Sequence, residues 1–359
     1  MTCDFLIIGG GIAGTSAAAR LSELGRVVLL EMEEALGYHA SGRSAAMFEE
    51  NYGPAPVVAL NRASADYHRT AHGGYLTPRG LLLVAGPGQE QQFRDDIDEL
   101  HLDEVSFAEA QQRVPILNAK TVTHAGLHVG AQDLDTDRMI QDFAKVARAA
   151  GGSVVTRAKV TAIRREAGAW QVEAGGEAYV AKQLVNAAGA WVDEIAAMAG
   201  VEPIGIAPRR RSMARLPAPG GNDVTQWPML MGVGESWYAK PDAGKLLVSP
   251  ADADLVAPHD AYADDMVLAE GLARYEEMVT TPVTRVESNW AGLRSFSPDG
   301  SLVLGPDPDE SDFIWCAAQG GYGFQTAPAA SRLLADILGG HSSELDADSR
   351  AALSPERLR

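Results

Sequence analysis

The chain opens on five strand-like residues, Asp4 to Ile8, apolar from Phe5 onward, which predict a strand. Gly9, Gly11 and Gly14 follow, then Ala17, Leu21 and Leu24 at helical spacing, a stop at Gly25, and a second apolar run, Val27 to Leu30, ending on Glu31. Helical periodicity recurs over 54–72, with Val57, Leu60 and Tyr67 on one side, and over 89–102. Asp135 or Thr136 can cap a further helix that stops at Gly151-Gly152. The continuous apolar stretch 80–85 reads as a short strand, and QLVNAAGAWVDEIAAMAG as a buried strand, a turn at Gly189 and a helix. From 208 to 289 strand patterns such as SMARL and KLLVSP prevail, with few helical ones. The end returns to strand, glycine turn and helix, with Pro328 in the first helical turn and Ala330, Leu333, Leu334 and Ile337 on the apolar face.

The order of the opening elements carries chemistry. Gly9 permits a tight turn, Gly11 lets a pyrophosphate approach the backbone, and Gly14 lets helix and strand pack closely. The helix N-terminus favours phosphate charge, and Glu31 stands where a carboxylate can take both ribose hydroxyls. A dinucleotide site follows, and Glu31 disfavours a 2′-phosphate, hence NADP. The segment HASGRSAAM (39–47) replaces the next unit of a simple NAD domain, and no second GxGxxG follows a strand, so FAD is the better reading. The expected fold is α/β: a Rossmann-like FAD-binding domain built from 1–75, 140–207 and 290–359, with a β-rich substrate-binding domain from 76–139 and 208–289.

Composition narrows the partners. A net charge of −18 argues against a nucleic-acid surface and against docking on anionic lipid. Only Cys3 and Cys316 are present, which speaks against a disulfide framework. No basic segment precedes the first strand and no apolar run is long enough to span a bilayer, so a cytoplasmic protein without a transmembrane segment is expected. No metal site is expected. Asp133, Asp135 and Asp137 imitate an EF-hand, but Arg138 stands at the obligatory glycine position and Ala144 at the bidentate glutamate position. His124 and His128 lack an HExxH context.

The motifs IIGGGIAG, GYHASGRSAA, LVNAAGAW, PRRRS, ESWYAKPDAG, WAGLRSF and AAQGGYGFQT, in this order over nearly the whole length, resemble the FAD-dependent D-amino acid oxidase and dehydrogenase family (the D-amino acid oxidase/glutathione reductase type of fold), most closely its D-arginine dehydrogenase branch. The resemblance implies non-covalent FAD held by Gly9, Gly11, Ile12, Ala13, Gly14 and Glu31. Ser41, Gly42, Arg43, Ser44, Ala45 and Ala46 would run along the pyrophosphate and flavin ring. Val160 would hold the adenine, and Ala188, Gly189 and Trp191 would close over the cofactor. Gly320, Gly321, Tyr322, Gly323, Phe324 and Gln325 would face the flavin pyrimidine edge, where a helix N-terminus stabilises negative charge.

For the substrate, the resemblance implies a carboxylate clamp of Arg211, Tyr238 and Arg294, with Arg294 also beside the cofactor. Tyr52 would cover the pocket, and the Gly321 carbonyl would accept the substrate amine. The activity implied is oxidation of a free D-amino acid by hydride transfer from Cα to flavin N5, giving a 2-oxo acid and ammonia. Met47 and Leu81 replace a histidine and a glutamate of the arginine-acting branch, which predicts neutral, hydrophobic side chains. Glu49 and Glu50 are expected to be solvated loop acids, Cys316 packed, and His39 a minority candidate for a covalent flavin link. The alternatives are a sarcosine- or glycine-type secondary-amine oxidase and a non-catalytic flavin-binding redox sensor. The electron acceptor, quinone or oxygen, is left open by residue identity.

Overall fold

The computed structural model describes residues 1–359. Strand β1 (Thr2–Ile8) lies inside an eight-stranded sheet, parallel to β2 (Val27–Leu30) on one side and to Glu177–Asn186 on the other. Ser153–Val155 continues the parallel sheet beyond β2, and Phe313–Ala317 joins beside Glu177–Asn186. Because side chains alternate along a strand, β1 feeds two cores. Leu6 and Ile8 meet Leu184 and Trp315 on one face, while Phe5 and Ile7 meet Leu29 and helix α1 (Ile12–Leu21) on the other. Ala17 and Ala18 of α1 are fully buried, so the helix lies close against the sheet.

A second eight-stranded sheet runs in the order Ser288–Phe296, Ala207–Leu216, Lys245–Ser249, Tyr238–Asp242, Met229–Gly232, Leu81–Ala85, His124–His128 and Asp103–Val105. All its pairings are antiparallel except that of Met229–Gly232 with Leu81–Ala85. The pairing of its first two strands sets Arg209 opposite Arg294 and Arg211 opposite Gly292. The domain boundary expected at 290 therefore cuts a strand of this sheet. We propose the same discontinuous division with Ser288–Phe296 assigned to the β-rich part.

Three expectations need correction. The strand-rich stretch contains the helix Asp265–Glu277, capped by Asp264, whose carboxylate accepts the Met266 and Val267 N–H groups. Ile337 is 39% exposed and lies off the apolar face of the last helix. That helix spans Gly323–Gly339, so Pro328 sits beyond its first turn.

Proline there removes one backbone donor and crowds the preceding turn. Helix α2 (Ala55–Thr70) repairs the damage. Ala329 donates its N–H to Ser64 Oγ, the Ser64 hydroxyl donates to the Thr326 carbonyl, and His68 Nε2 bonds the Gln325 carbonyl at 2.9 Å. His68 is fully buried. Burial pulls its pKa from 6.5 down to about 4, against the opposing pull of the Gln325 carbonyl.

The unfolded chain thus binds a proton on His68 more readily than the folded one does. This contribution to stability is complete above pH 6.5 and is lost as pH falls toward 4, to a total of about 3 kcal/mol. Urea unfolding between pH 7.5 and 4.5 should show the decline, and His68→Gln should flatten it. An unchanged slope in the variant contradicts the assignment.

Candidate active site

The glycine turn after β1 is as tight as its sequence requires. Gly9 holds φ +109°, and a Cβ there would overlap the Ala187 carbonyl; a Cβ on Gly14 would overlap the Gly9 carbonyl. At Gly11 the only neighbour of an added Cβ would be Ser41 Oγ at 3.1 Å, so the backbone faces open space there. The N-cap of α1 is Gly11, which has no side chain, and the first helical N–H, on Ile12, donates to Ser41 Oγ at 3.0 Å. Glu31 is buried and accepts the Gly10 N–H at 2.6 Å and the Glu33 N–H at 2.8 Å. Its carboxylate is thereby aimed at the start of the turn.

Around this turn lies a cavity of about 510 Å³. Gly9, Gly11, Glu31, Ser41, Arg43, Val160, Ala188, Gly189 and Trp191 line it. Donor set and shape fit a dinucleotide: bare backbone and a helix N-terminus for phosphate, a carboxylate for ribose, apolar walls for a base. Ile12, Ala13 and Gly14 stand behind this wall as the buried first turn of α1. Gly42 lies under it, its N–H donating to the Gly37 carbonyl at 2.6 Å.

Arg43 borders the cavity but is engaged elsewhere. It donates to the Ala261 and Ala291 carbonyls, both at 2.9 Å, and pairs with Asp260 at 2.5 Å. His39 Nε2 lies 2.9 Å from Glu33 Oε1.

A second pocket, of about 100 Å³, opens where the segment 44–47 meets the second sheet. Ser44, Ala45, Ala46, Tyr52, Tyr238, Arg294, Gly321 and Gln325 line its polar side, and Met47, Leu81, Leu100, Met229 and Met231 its apolar wall. Arg294, Tyr52 and Glu235 stand together in the lining of this pocket. Burial pushes the Tyr52 phenol well above its usual range, with Glu235 adding to the shift. Burial opposes charge on Arg294, but Tyr52, Tyr238 and Glu235 outweigh it, and the guanidinium stays protonated. Tyr322 leans on Tyr52 with ring centroids 5.3 Å apart. Gly321 crosses directly over Arg294, where an added Cβ would meet Nη1 at 3.0 Å. Gly320, Gly323 and Phe324 support this turn from outside the pocket wall, Phe324 buried against Ile12.

Arg211 does not line this pocket. It opens on a neighbouring cavity shared with Arg294; its Nη1 lies 3.8 Å from Glu235 Oε2, and its guanidinium carbon 5.9 Å from the Tyr238 ring centroid.

Sequence reasoning missed several contributors. Glu49 is not a solvated loop acid: it is 5% exposed, lines the pocket, and lies 2.5 Å from His128 Nδ1. Glu50 is on the surface with Arg69. Lys240, two positions after Tyr238 and so on the same strand face, donates to the Ala45 and Ala46 carbonyls at 3.1 and 3.0 Å. It also lies 2.9 Å from Asp133. This clamp fixes the segment that joins the two cavities, and strand parity was its only available signal. Cys316 is buried as expected, and burial pushes its thiol up to about 12. No group of metal-ligating side chains is assembled, and no helix is long and apolar enough to cross a membrane.

Comparison with known proteins agrees with this geometry. The family model described as FAD dependent oxidoreductase (DAO) matches residues 4–337. Glycine oxidase of Bacillus licheniformis is 24% identical, over 94% of this chain and 93% of that protein. Mitochondrial dimethylglycine dehydrogenase of Homo sapiens is 24% identical over 93% of this chain. The chain spans only 42% of that relative's length. The fold is that of FAD-bound L-alpha-glycerophosphate oxidase from Mycoplasma pneumoniae, with a TM-score of 0.85, 20% identity, and coverage of 94% and 95% of the two chains. These relatives share the family and the α/β fold; the finer likeness to an arginine-acting branch is not among the properties they establish. The chain belongs to the FAD-dependent oxidoreductase (DAO) family, whose cofactor is FAD.

Proposed function

We propose that the protein oxidises free D-amino acids with neutral, hydrophobic side chains to 2-oxo acids and ammonia. The observation that carries this reading is the half-buried Arg294 beside Tyr52, facing an aliphatic wall in a pocket whose Ser44–Ala46 segment follows directly on Arg43 of the cofactor cavity. A guanidinium holds a carboxylate bidentately and so fixes its orientation. Tyr52 and Tyr238 add hydroxyl donors, and the Gly321 carbonyl can accept from the amine. Met47, Leu81, Leu100, Met229 and Met231 exclude water from the side chain and reward apolar burial by about 0.8 kcal/mol per methylene. Glu49 offers a cationic side chain little, since His128 and the Asn51 N–H already engage it. Bound FAD supplies the two-electron acceptor, and the protein supplies position and field. The D preference rests on the motif resemblance.

A second reading, a glycine- or sarcosine-type amine oxidase, has support of its own. The glycine oxidase and dimethylglycine dehydrogenase relatives point there, and so does the small volume of about 100 Å³. Anaerobic mixing of the FAD-loaded protein with D-leucine, D-methionine, their L forms, D-arginine, glycine and sarcosine separates the readings. The flavin band should bleach fastest with the neutral D-amino acids. Preference for glycine or sarcosine selects the second reading, and no bleaching with any of them leaves a redox sensor.

Arg294→Met should raise KM about ten- to a hundredfold, the equivalent of one charge-assisted contact, while FAD stays bound. A KM equal to wild type removes Arg294 from substrate binding.

A further inference from the structure

The small pocket holds an acid that the carboxylate clamp does not use. Glu49 follows the short strand Met47–Phe48, is buried, and lines the pocket together with Gly321 and Arg294. Its backbone is fixed: the N–H donates to Gln325 Oε1 at 3.4 Å, and the carbonyl accepts from Asn61 Nδ2 at 3.5 Å. Carboxylate oxygen Oε2 accepts from His128 Nδ1 at 2.5 Å, and Oε1 accepts the Asn51 N–H at 3.3 Å. A carboxylate offers about four lone-pair sites, so Glu49 keeps acceptor capacity. His128 is itself held. It ends the strand His124–His128 opposite Leu81, and an added Cβ on Gly130 would meet its Nε2 at 2.6 Å.

In a volume of about 100 Å³ nothing bound lies far from any wall. An amino acid carries its ammonium one carbon from its carboxylate, so a carboxylate on Arg294 leaves the ammonium in the same small space as Glu49. At neutral pH that nitrogen has no lone pair with which to form C=N, and hydride cannot leave Cα until a proton is removed. The other charged groups nearby are poor acceptors. Burial keeps the Tyr52 phenol protonated, Arg294 stays charged, and the Tyr238 phenol is an acid. Glu235 stands beside Arg211 at 3.8 Å. Across the Met47–Phe48 pairing, Asp133 is engaged by both Arg79 and Lys240. His68 is spent on the Gln325 carbonyl and Glu50 on Arg69.

We propose that Glu49 is the proton acceptor for the substrate ammonium, with His128 as the positioning residue that holds it. The proposal rests on the amine-oxidising reading above, in its amino-acid or its glycine and sarcosine form. An N–H bond of the ammonium breaks and an O–H bond forms on Glu49. The freed lone pair closes C=N as the Cα hydrogen leaves with its bonding electrons to bound FAD. The proton on Glu49 passes to water after the imino product departs. A guanidinium does not give up its proton in this way, so the acid serves an α-ammonium without favouring an arginine side chain.

Glu49→Gln keeps an oxygen for His128 but takes no proton. Flavin reduction by the best amine substrate should fall about a hundredfold at pH 7, the size of a general-base contribution. Most of that loss should disappear at pH 9.5, where much of the free amine is already neutral. His128→Leu should repeat the pattern in weaker form, and His128→Asn, which keeps an N–H donor at the Nδ1 position, should lose less. An equal loss at both pH values marks a structural role and overturns the proposal. So does a wild-type rate in Glu49→Gln, or the pH-selective loss appearing in Glu235→Gln instead.

Binding gives a readout that needs no reduction. 2-Aminoisobutyrate has the ammonium and carboxylate but no Cα hydrogen, and 2-methylpropanoate lacks the ammonium. In calorimetry on the FAD-loaded protein at pH 7, Glu49→Gln should bind 2-aminoisobutyrate about tenfold more weakly, with no such loss for 2-methylpropanoate. Parallel changes in both, or a wild type for which the ammonium adds no affinity, contradict the assignment. Failure of every amine to reduce the flavin sinks the proposed function, and the binding comparison still decides whether Glu49 meets an ammonium.

Discussion

Arg294 carries a full charge into the half-buried wall between two pockets, and the arrangement of the site follows from keeping it there. Removing an ion from water costs several kcal/mol even after relaxation. The protein offsets that cost with two phenols, the Glu235 carboxylate nearby, and a turn that crosses over the guanidinium at Gly321. Only a residue without a side chain can cross so closely, so the glycine run at 320–323 and the arginine on the facing strand depend on each other. The ordering of this turn then begins the last long helix. Its Pro328 discontinuity is sealed by Ser64 and His68, on the same helix whose Asn61 ties down the carbonyl of Tyr52.

The two cavities are coupled through one short segment. Ser41 meets the first N–H of α1 at the dinucleotide turn, and three residues later Ser44 begins the wall of the smaller pocket. Lys240 grips the backbone just beyond Ser44 through the Ala45 and Ala46 carbonyls, and Asp133 beside it also pairs with Arg79 at 2.6 Å. A cofactor in the first cavity and a carboxylate in the second are thus presented to each other by elements of both large sheets. Rigid strands are better platforms for such a geometry than loops.

The cofactor half of this arrangement was legible in the sequence because its constraints are local. Gly9 and Gly14 answer to backbone overlap within a few residues, and Glu31 follows at a distance set by one βαβ unit. Position in the second half depends on pairings between distant residues. Glu49 reads as a surface acid until His128, on another strand, is seen beside it. Arg211 pairs across the sheet with Gly292, not with Arg294, and meets Arg294 in a cavity beside the small pocket. The helix Asp265–Glu277 was hidden for a related reason. Met266 is 70% exposed, and among the helix's buried residues Leu268, Gly271 and Tyr275 only two are large and apolar. So weak a stripe gives no clear period. Pro328 misled in the opposite direction, since proline usually marks a first turn and here is tolerated deeper by help from a neighbouring helix.

The central claim is that the half-buried guanidinium of Arg294 holds the substrate carboxylate. A crystal structure of the FAD-loaded protein with 4-methyl-2-oxopentanoate, the 2-oxo acid corresponding to leucine, tests it most directly. The account predicts the ligand carboxylate on Arg294 and the Tyr52 hydroxyl, with the branched end against Leu81 and Met47. A carboxylate bound elsewhere, with Arg294 still facing only Tyr52, Tyr238 and Glu235, would contradict it.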